Sequence, residues 1–166
     1  MMRDEAIKTL QGLLKGIKFA MLTTVAEDGS LRSRPMAVQE SEFDGDLWFF
    51  TEAGAAKVDE VQTDQHVNVV FADPDAQRYI SVSGLARVVR DPVKVRERWS
   101  SAYKSWFPKG VDDPSLALLR VTVTAAEYWE SPSSPVVRIL GFAKAMATGQ
   151  RQQPGQSTKL DLERSA

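Results

Sequence analysis

Two Asp-Gly pairs punctuate the first third of the chain, and they constrain its fold more than any other feature. Asp28-Gly29 and Asp44-Gly45 separate runs rich in apolar and β-branched residues. Asp-Gly supplies the positive φ of a tight hairpin turn, and tight turns join antiparallel neighbours. Ile17–Val25, Leu31–Gln39 and Leu47–Thr51 are therefore predicted as successive antiparallel strands. Three further runs, 67–72, 77–89 and 116–125, have strand composition, the last able to continue through Tyr128-Trp129. Gly84 interrupts the fifth run and predicts a bulge or bend. Pro35 lacks an N–H and predicts an edge strand or a bulge for the second. Six strands joined by tight turns predict a small closed or nearly closed barrel with helices at its ends.

Helical signals fall between and outside these runs. Ala6, Leu10, Leu13 and Leu14 form a stripe over 4–14, ended by Gly16. Val58 and Val61 mark a helix over 55–64. Asp91-Pro92 is a helix start, and Val95, Trp99, Ala102 and Trp106 continue at helical spacing to Pro108 and Gly110. A fourth helix is predicted over 136–147. Ser131–Pro135 reads as a loop and 149–158 as a mobile link. Lys159–Leu162 reads as a small terminal strand. The 166 residues suit one domain.

Composition removes several kinds of chemistry. There is no cysteine and one histidine, His66. Thiol nucleophiles, disulfides and Cys-ligated metals are excluded, and any triad would have to use His66. His66 sits between a helix and a strand, where a capping or surface role is expected. The acidic pairs Glu27/Asp28, Asp73/Asp75 and Asp112/Asp113 all fall at turns, where Asp is favoured locally, so no metal site is predicted. Lys+Arg 21 against Asp+Glu 22 gives a net charge of −1, with no general pull toward nucleic acid or anionic lipid. The cluster Arg87, Arg90, Lys94, Arg96 and Arg98 is broken by Asp91 and Glu97. No apolar run approaches a membrane span, and the N-terminus does not read as a signal peptide. A soluble cytoplasmic protein is expected, with no catalytic side chain of its own. Redox chemistry would then come with a bound cofactor.

Two segments carry a positive ligand signal. Phe50-Thr51-Glu52-Ala53-Gly54-Ala55-Ala56-Lys57 runs from strand through loop into helix. Free amides at a helix start bind phosphate, and a first-turn lysine there suits a bound anion. The alternative is a solvated lysine. Leu31-Arg32-Ser33-Arg34-Pro35-Met36 puts Arg32 and Arg34 on one strand face, where bidentate phosphate binding would account for them. The alternative is a solvated outer face. Together with Lys57 the two arginines predict a phosphorylated ligand over a barrel edge. Trp48 and Phe50 are expected in the core. Trp99, Tyr103 and Trp106 are expected in the core or a subunit contact. Trp129 is expected to meet a planar ligand or a second subunit.

The order of the Ile17–Val25 strand, Ser33-Arg34-Pro35-Met36, Leu47-Trp48-Phe49-Phe50-Thr51 and Ala56-Lys57 resembles the FMN-binding split barrels. These are the pyridoxamine 5′-phosphate oxidase-like proteins, and the resemblance is closest to their bacterial general stress protein branch. It covers roughly residues 4–130. It implies a mainly β (α+β) fold, a six-stranded antiparallel split β-barrel with flanking helices. The flavin-binding domain would cover residues 1–149, followed by a flexible segment, 150–166, with a short strand. The resemblance also implies that Arg34, Pro35, Met36 and Ala37 run along FMN, with FAD as a substitute. It places Phe50 and Thr51 on the flavin or its phosphate, Lys57 on the phosphate, and Trp129 against the ring from a second subunit. Arg32 and Ser33 adjoin the same strand. A homodimer with flavin at the subunit interface follows.

Gln39 stands where the oxidase has Lys, and Tyr79 where it has Gln. The oxidase's C-terminal Arg-x-His pair is missing. These departures point away from vitamin B6 oxidation. The resemblance leaves open a flavin-dependent oxidoreductase with an unidentified substrate or a non-catalytic flavin carrier, store or sensor. A third alternative is a barrel without flavin that mediates assembly.

Overall fold

The structure is a computed structural model, and it describes residues 2–39, 41–131, 135–149 and 157–163. Among them are seven strands and four α-helices in the order α1 (Arg3–Leu14), β1 (Phe19–Val25), β2 (Leu31–Ala37), β3 (Asp46–Glu52), α2 (Ala56–Thr63), β4 (His66–Asp73), β5 (Arg78–Val89), α3 (Pro92–Arg98), β6 (Leu116–Glu130), α4 (Pro135–Thr148) and β7 (Ser157–Asp161). A 3₁₀ turn, Ser101–Ser105, lies between α3 and β6. The six predicted strands and four helices are present. The tail adds a seventh strand to the sheet. The predicted link falls largely on 150–156, and the predicted loop on 132–134, both outside the described residues.

All pairings are antiparallel, in the order β2-β1-β4-β5-β6-β3. The fifteen-residue β6 shares one edge between two partners. Its first half pairs with β3, from Leu116↔Glu52 to Thr122↔Asp46. Its second half pairs with β7, from Ala125↔Asp161 to Trp129↔Ser157. The register against β5 slips between Ser83 and Gly84, leaving Thr124 of β6 as the extra residue, so the irregularity predicted at Gly84 is present with its bulged residue on the partner strand. A Cβ there would lie 2.5 Å from the Thr122 carbonyl oxygen, so close backbone approach requires glycine.

The sheet curls but does not close. β2 and β3 end the order on opposite sides and share no ladder, so a fully closed barrel is not formed, and Asp44-Gly45 joins two unpaired strands instead of the predicted antiparallel neighbours. Pro35 lies on edge strand β2, where a missing N–H is tolerated. Inside the curl, Leu22, Phe49, Val69, Phe71, Ile80, Val82, Leu119 and Val121 form the main core. α1 caps one end with Ala6, Leu10, Leu13 and Leu14. Arg3 Nε donates to the Leu162 carbonyl at 3.2 Å and ties α1 to the last strand.

A second cluster packs outside the barrel: Phe50, Val95, Leu116 and Leu118, with Trp48, Trp99, Tyr103 and Phe107 against it. Trp48 and Phe50 therefore belong to an outer layer, not the barrel interior. The single long helix predicted from Asp91 is also corrected. α3 starts as expected, with the Asp91 carboxylate accepting from the Val93 amide at 2.9 Å. It ends at Arg98, because Trp99 is extended (φ −71, ψ 138). The chain then restarts as the 3₁₀ turn, whose Ser100 hydroxyl accepts from the Ala102 amide. Extended and 3₁₀ residues deliver Trp99 and Tyr103 onto Phe50 at 5.6 and 4.9 Å between ring centroids. Aromatic packing thus reproduces a helical spacing without a continuous helix.

Gly84→Ala should lower the urea-unfolding free energy by about 1–3 kcal/mol, the usual cost of forced overpacking. Gly12→Ala, in a helix with open space around the new methyl, should raise it by about 0.5–1 kcal/mol.

Candidate functional site

The unpaired seam between β2 and β3 holds a cleft. It has a volume of ≈ 310 Å³. Pro35, Met36 and Ala37 form the β2 wall, and Phe50, Thr51 and Glu52 the β3 wall. Phe19, Tyr103, Trp106 and Phe107 supply an aromatic wall, and Ala55 and Lys57 close one end. An unpaired strand edge presents free backbone N–H and C=O groups. The cleft therefore combines apolar ring surfaces with two hydrogen-bonding edges and a cation.

The cationic end is the start of α2. Ala55 is the cap residue, and no side chain bonds to the first helical amides. The loop before it is braced by Ala53 N–H to the Ser115 carbonyl (2.7 Å) and Ala55 N–H to the Glu52 carbonyl (3.0 Å). Lys57 is half-buried and makes no hydrogen bond with the described residues. Burial pushes its ammonium below the usual lysine pKa, and the nearby Arg34 guanidinium pushes it further, while Glu52 pulls the other way. A second cation and a helix start on one side of a partly desolvated lysine make a place where an anion is favoured.

Arg34 reaches this end from β2. Its Nη1 donates to the Thr24 hydroxyl at 2.6 Å, and its Nη2 lies 3.3 Å from Glu60 Oε2. Arg32, although on the same strand face, sits at the hairpin end and lines a separate open depression with Ala26, Glu27 and Asp28. The predicted pairing of both arginines around Lys57 is therefore reduced to Arg34. Ser33 is on the outer face, sharing a 2.6 Å hydrogen bond with the Thr23 hydroxyl. Thr51 is buried, with Phe50 beside it.

Trp129 is not in the cleft. It pairs with Tyr79 of β5 and Ser157 of β7, at the end of β6 beyond the Leu116–Thr122 stretch that pairs with the cleft strand β3. Within one chain neither Trp129 nor Tyr79 lines the site. Gln39 turns to Arg98, whose Nη1 donates to its Oε1 at 3.4 Å.

The remaining candidates are structural. His66 is exposed, its Nδ1 2.9 Å from Asp64 Oδ1. Asp28 and Asp113 cap turns, each taking the amide and hydroxyl of a serine two residues on. Those bonds hold both carboxyls below their usual range. No cluster of metal-ligating side chains occurs among the described residues. None of their helices is long and apolar enough to cross a membrane. In the basic cluster, Lys94 pairs with Glu97 and Arg96 with Asp112.

Sequence reasoning missed Glu60, Thr24 and Phe19. The first had a legible signal, since Lys57 and Glu60 are three apart on one helix and must share a face.

The geometry is that of a split barrel with a cleft at the open seam. Residues 5–153 match the family described as pyridoxamine 5′-phosphate oxidase like, and the chain belongs to that family. It is 32% identical over 156 residues to protein bli-3 of Neurospora crassa, spanning 88% of this chain and 75% of that protein. It is similar in structure to the general stress FMN/FAD binding protein of Xanthomonas citri, with 31% identity and a TM-score of 0.67 over 79% of this chain and 92% of that one. A protein assigned as general stress protein 26 from Jannaschia sp. CCS1 superimposes over 95% of this chain and 99% of its own, with a TM-score of 0.73 and 23% identity. At that identity the likeness shows the fold.

Lys57→Met should leave the ligand-free protein as stable as wild type, or more stable, at pH 7. A lysine whose folded pKa is lowered destabilises fully below that pKa, and the penalty fades as pH rises to its unfolded value. The advantage of Lys57→Met in urea unfolding should therefore shrink as pH approaches the ordinary lysine range.

Proposed function

We propose that the cleft binds the flavin of FMN, with the ribityl phosphate at Lys57, Arg34 and the start of α2. The observation that carries this reading is the seam itself. Free strand edges face each other beside an aromatic wall, with a partly buried cation pair at one end. A tricyclic ring with polar edges and a phosphate tail needs these three features together. The chemistry of the residues fits the group. The Xanthomonas citri relative, described as FMN/FAD binding, supports flavin as the ligand class. FMN is preferred here because the phosphate would end at Lys57. The chain is read as a protein of the general stress type.

When bound, flavin supplies hydride or electron transfer, and the protein supplies binding and electrostatics. We read the chain as a flavin-dependent oxidoreductase rather than a carrier, store or sensor. The open cleft and exposed Trp106 leave access beside the ring position. Vitamin B6 oxidation is not proposed, because Gln39 is engaged with Arg98 and no Arg-x-His pair exists in the sequence.

The site is completed in a homodimer on this reading. The outer face of β2-β1-β4-β5 carries Pro35, Met21, Val70 and Ser81 in one cross-strand row. Ser33, Thr23, Asn68 and Ser83 form the next row. Neither row is charged. Phe19, Met21, Val70 and Tyr79 are substantially exposed there, and monomers rarely leave such a face open. The face runs into the cleft at Phe19 and Pro35. A two-fold partner would bring a second face, with Tyr79 and Trp129, toward that opening.

Purified protein should show a flavin visible spectrum, or acquire one on FMN titration. No retained colour and no saturable binding would remove the reading. Lys57→Ala should weaken FMN by about 10–100-fold, the scale of a lost charged hydrogen bond, and riboflavin much less. Equal weakening would make Lys57 structural. NADH-dependent bleaching of bound flavin supports the enzyme, and a spectrum unmoved by every donor tested supports the carrier. Light scattering should give a dimer that Met21→Glu dissociates. A wild-type monomer that binds FMN tightly would contradict the shared site.

A further inference from the structure

Behind the cation pair lies a carboxylate with no part in the ligand contacts proposed above. Glu60 is one helical turn beyond Lys57 on α2, and only 10% of its side chain is exposed. Its Oε2 accepts from the Thr24 hydroxyl and faces Arg34 Nη2 at 3.3 Å. Thr24 is wholly buried, and its oxygen accepts from Arg34 Nη1 at 2.6 Å. Arg34, Thr24 and Glu60 thus form a closed ring. It grips two guanidinium nitrogens and reaches from edge strand β2, through β1, to α2.

The ring matters because Arg34 is otherwise held only by a 3.4 Å hydrogen bond from Nη1 to the Leu22 carbonyl. Its strand has no neighbour on its outer side, and its side chain is 21% exposed. Lys57 repels it. A free arginine in that position would swing toward water, since separation relieves the like-charge repulsion and restores hydration. The ring opposes that motion. It also leaves the Nε edge of the guanidinium, which can bind phosphate in two parallel bonds.

We propose that Glu60 is a positioning residue for phosphate recognition, holding Arg34 beside Lys57 so that the ligand meets an ordered pair of cations. The proposal rests on the phosphate lying at Lys57. It differs in sign from a bare charge effect. If Glu60 acted only as a negative charge near the phosphate, removing that charge would tighten FMN. If Glu60 positions Arg34, removing it loosens FMN.

The test compares FMN and riboflavin affinities by flavin fluorescence quenching on the full chain. Glu60→Gln and Glu60→Ala should each lower the preference for FMN over riboflavin, the alanine variant by about tenfold, the scale of one charged hydrogen bond. In an Arg34→Met background the Glu60 substitutions should change the preference no further, because nothing remains to be positioned. Thr24→Val, which keeps the shape and opens the same ring, should lower the preference in the same direction. It serves as the reporter if the Glu60 variants do not fold. An unchanged or increased preference in these variants, or a full Glu60 effect without Arg34, overturns the proposal. If Lys57→Ala also leaves the preference unchanged, the phosphate placement fails with it. If Lys57→Ala lowers the preference and the ring variants do not, only the positioning role fails.

Discussion

β2 and β3 come together at the seam of the barrel without pairing, and the site depends on that one missing ladder. Two unpaired edges in a folded sheet are a liability unless something covers or occupies them. Here the cause is geometric. β6 is long enough to carry β3 and β7 end to end on one edge, and between those halves its register slips at Thr124, opposite Ser83-Gly84 of β5. Curling brings β3 round toward β2, but the sheet stops before the two can bond. The aromatic segment after α3 packs on Phe50 and walls one side of the opening.

Charge then distinguishes the two ends of the opening. The near-zero net charge of the chain conceals a local contrast. α2 begins at the seam with no side-chain cap, and burial first, then the nearby Arg34, lowers the Lys57 pKa. Holding two cations together costs free energy in the empty protein. A phosphate would offset that cost, and Glu60 offsets part of it beforehand. The outer sheet face lacks charge over two successive rows, which suits burial against a second copy more than exposure to water.

Features governed by local chemistry were legible in the sequence. The Asp28-Gly29 hairpin, the Asp91 cap, the register slip at Gly84 and the edge position of Pro35 each follow from one residue's backbone requirements, whereas Asp44-Gly45 turns the chain between two strands that do not pair. The uncapped start of α2 was legible for the same reason. Features set by tertiary packing were not. The pattern of six strands does not say which two remain unpaired. Arg32 and Arg34 share a face by parity, yet only position along the strand separates the hairpin end from the seam. Val95, Trp99, Ala102 and Trp106 keep a helical spacing, yet their aromatics are laid against Phe50 by an extended residue and a 3₁₀ turn. Trp129 reads as a ring contact, and in a single chain it stands at the β7 end of β6, beyond the stretch that pairs with β3.

The most direct test of the central claim, that the seam is a flavin site with its phosphate at the cation pair, is a crystal structure of the protein grown with FMN. The account predicts the ring between β2 and β3 beside Phe50. It predicts phosphate oxygens about 2.7–2.9 Å from Lys57 Nζ and the Arg34 guanidinium, as charge-assisted bonds require. A phosphate bound at Arg32, or a flavin held away from the seam, would contradict it.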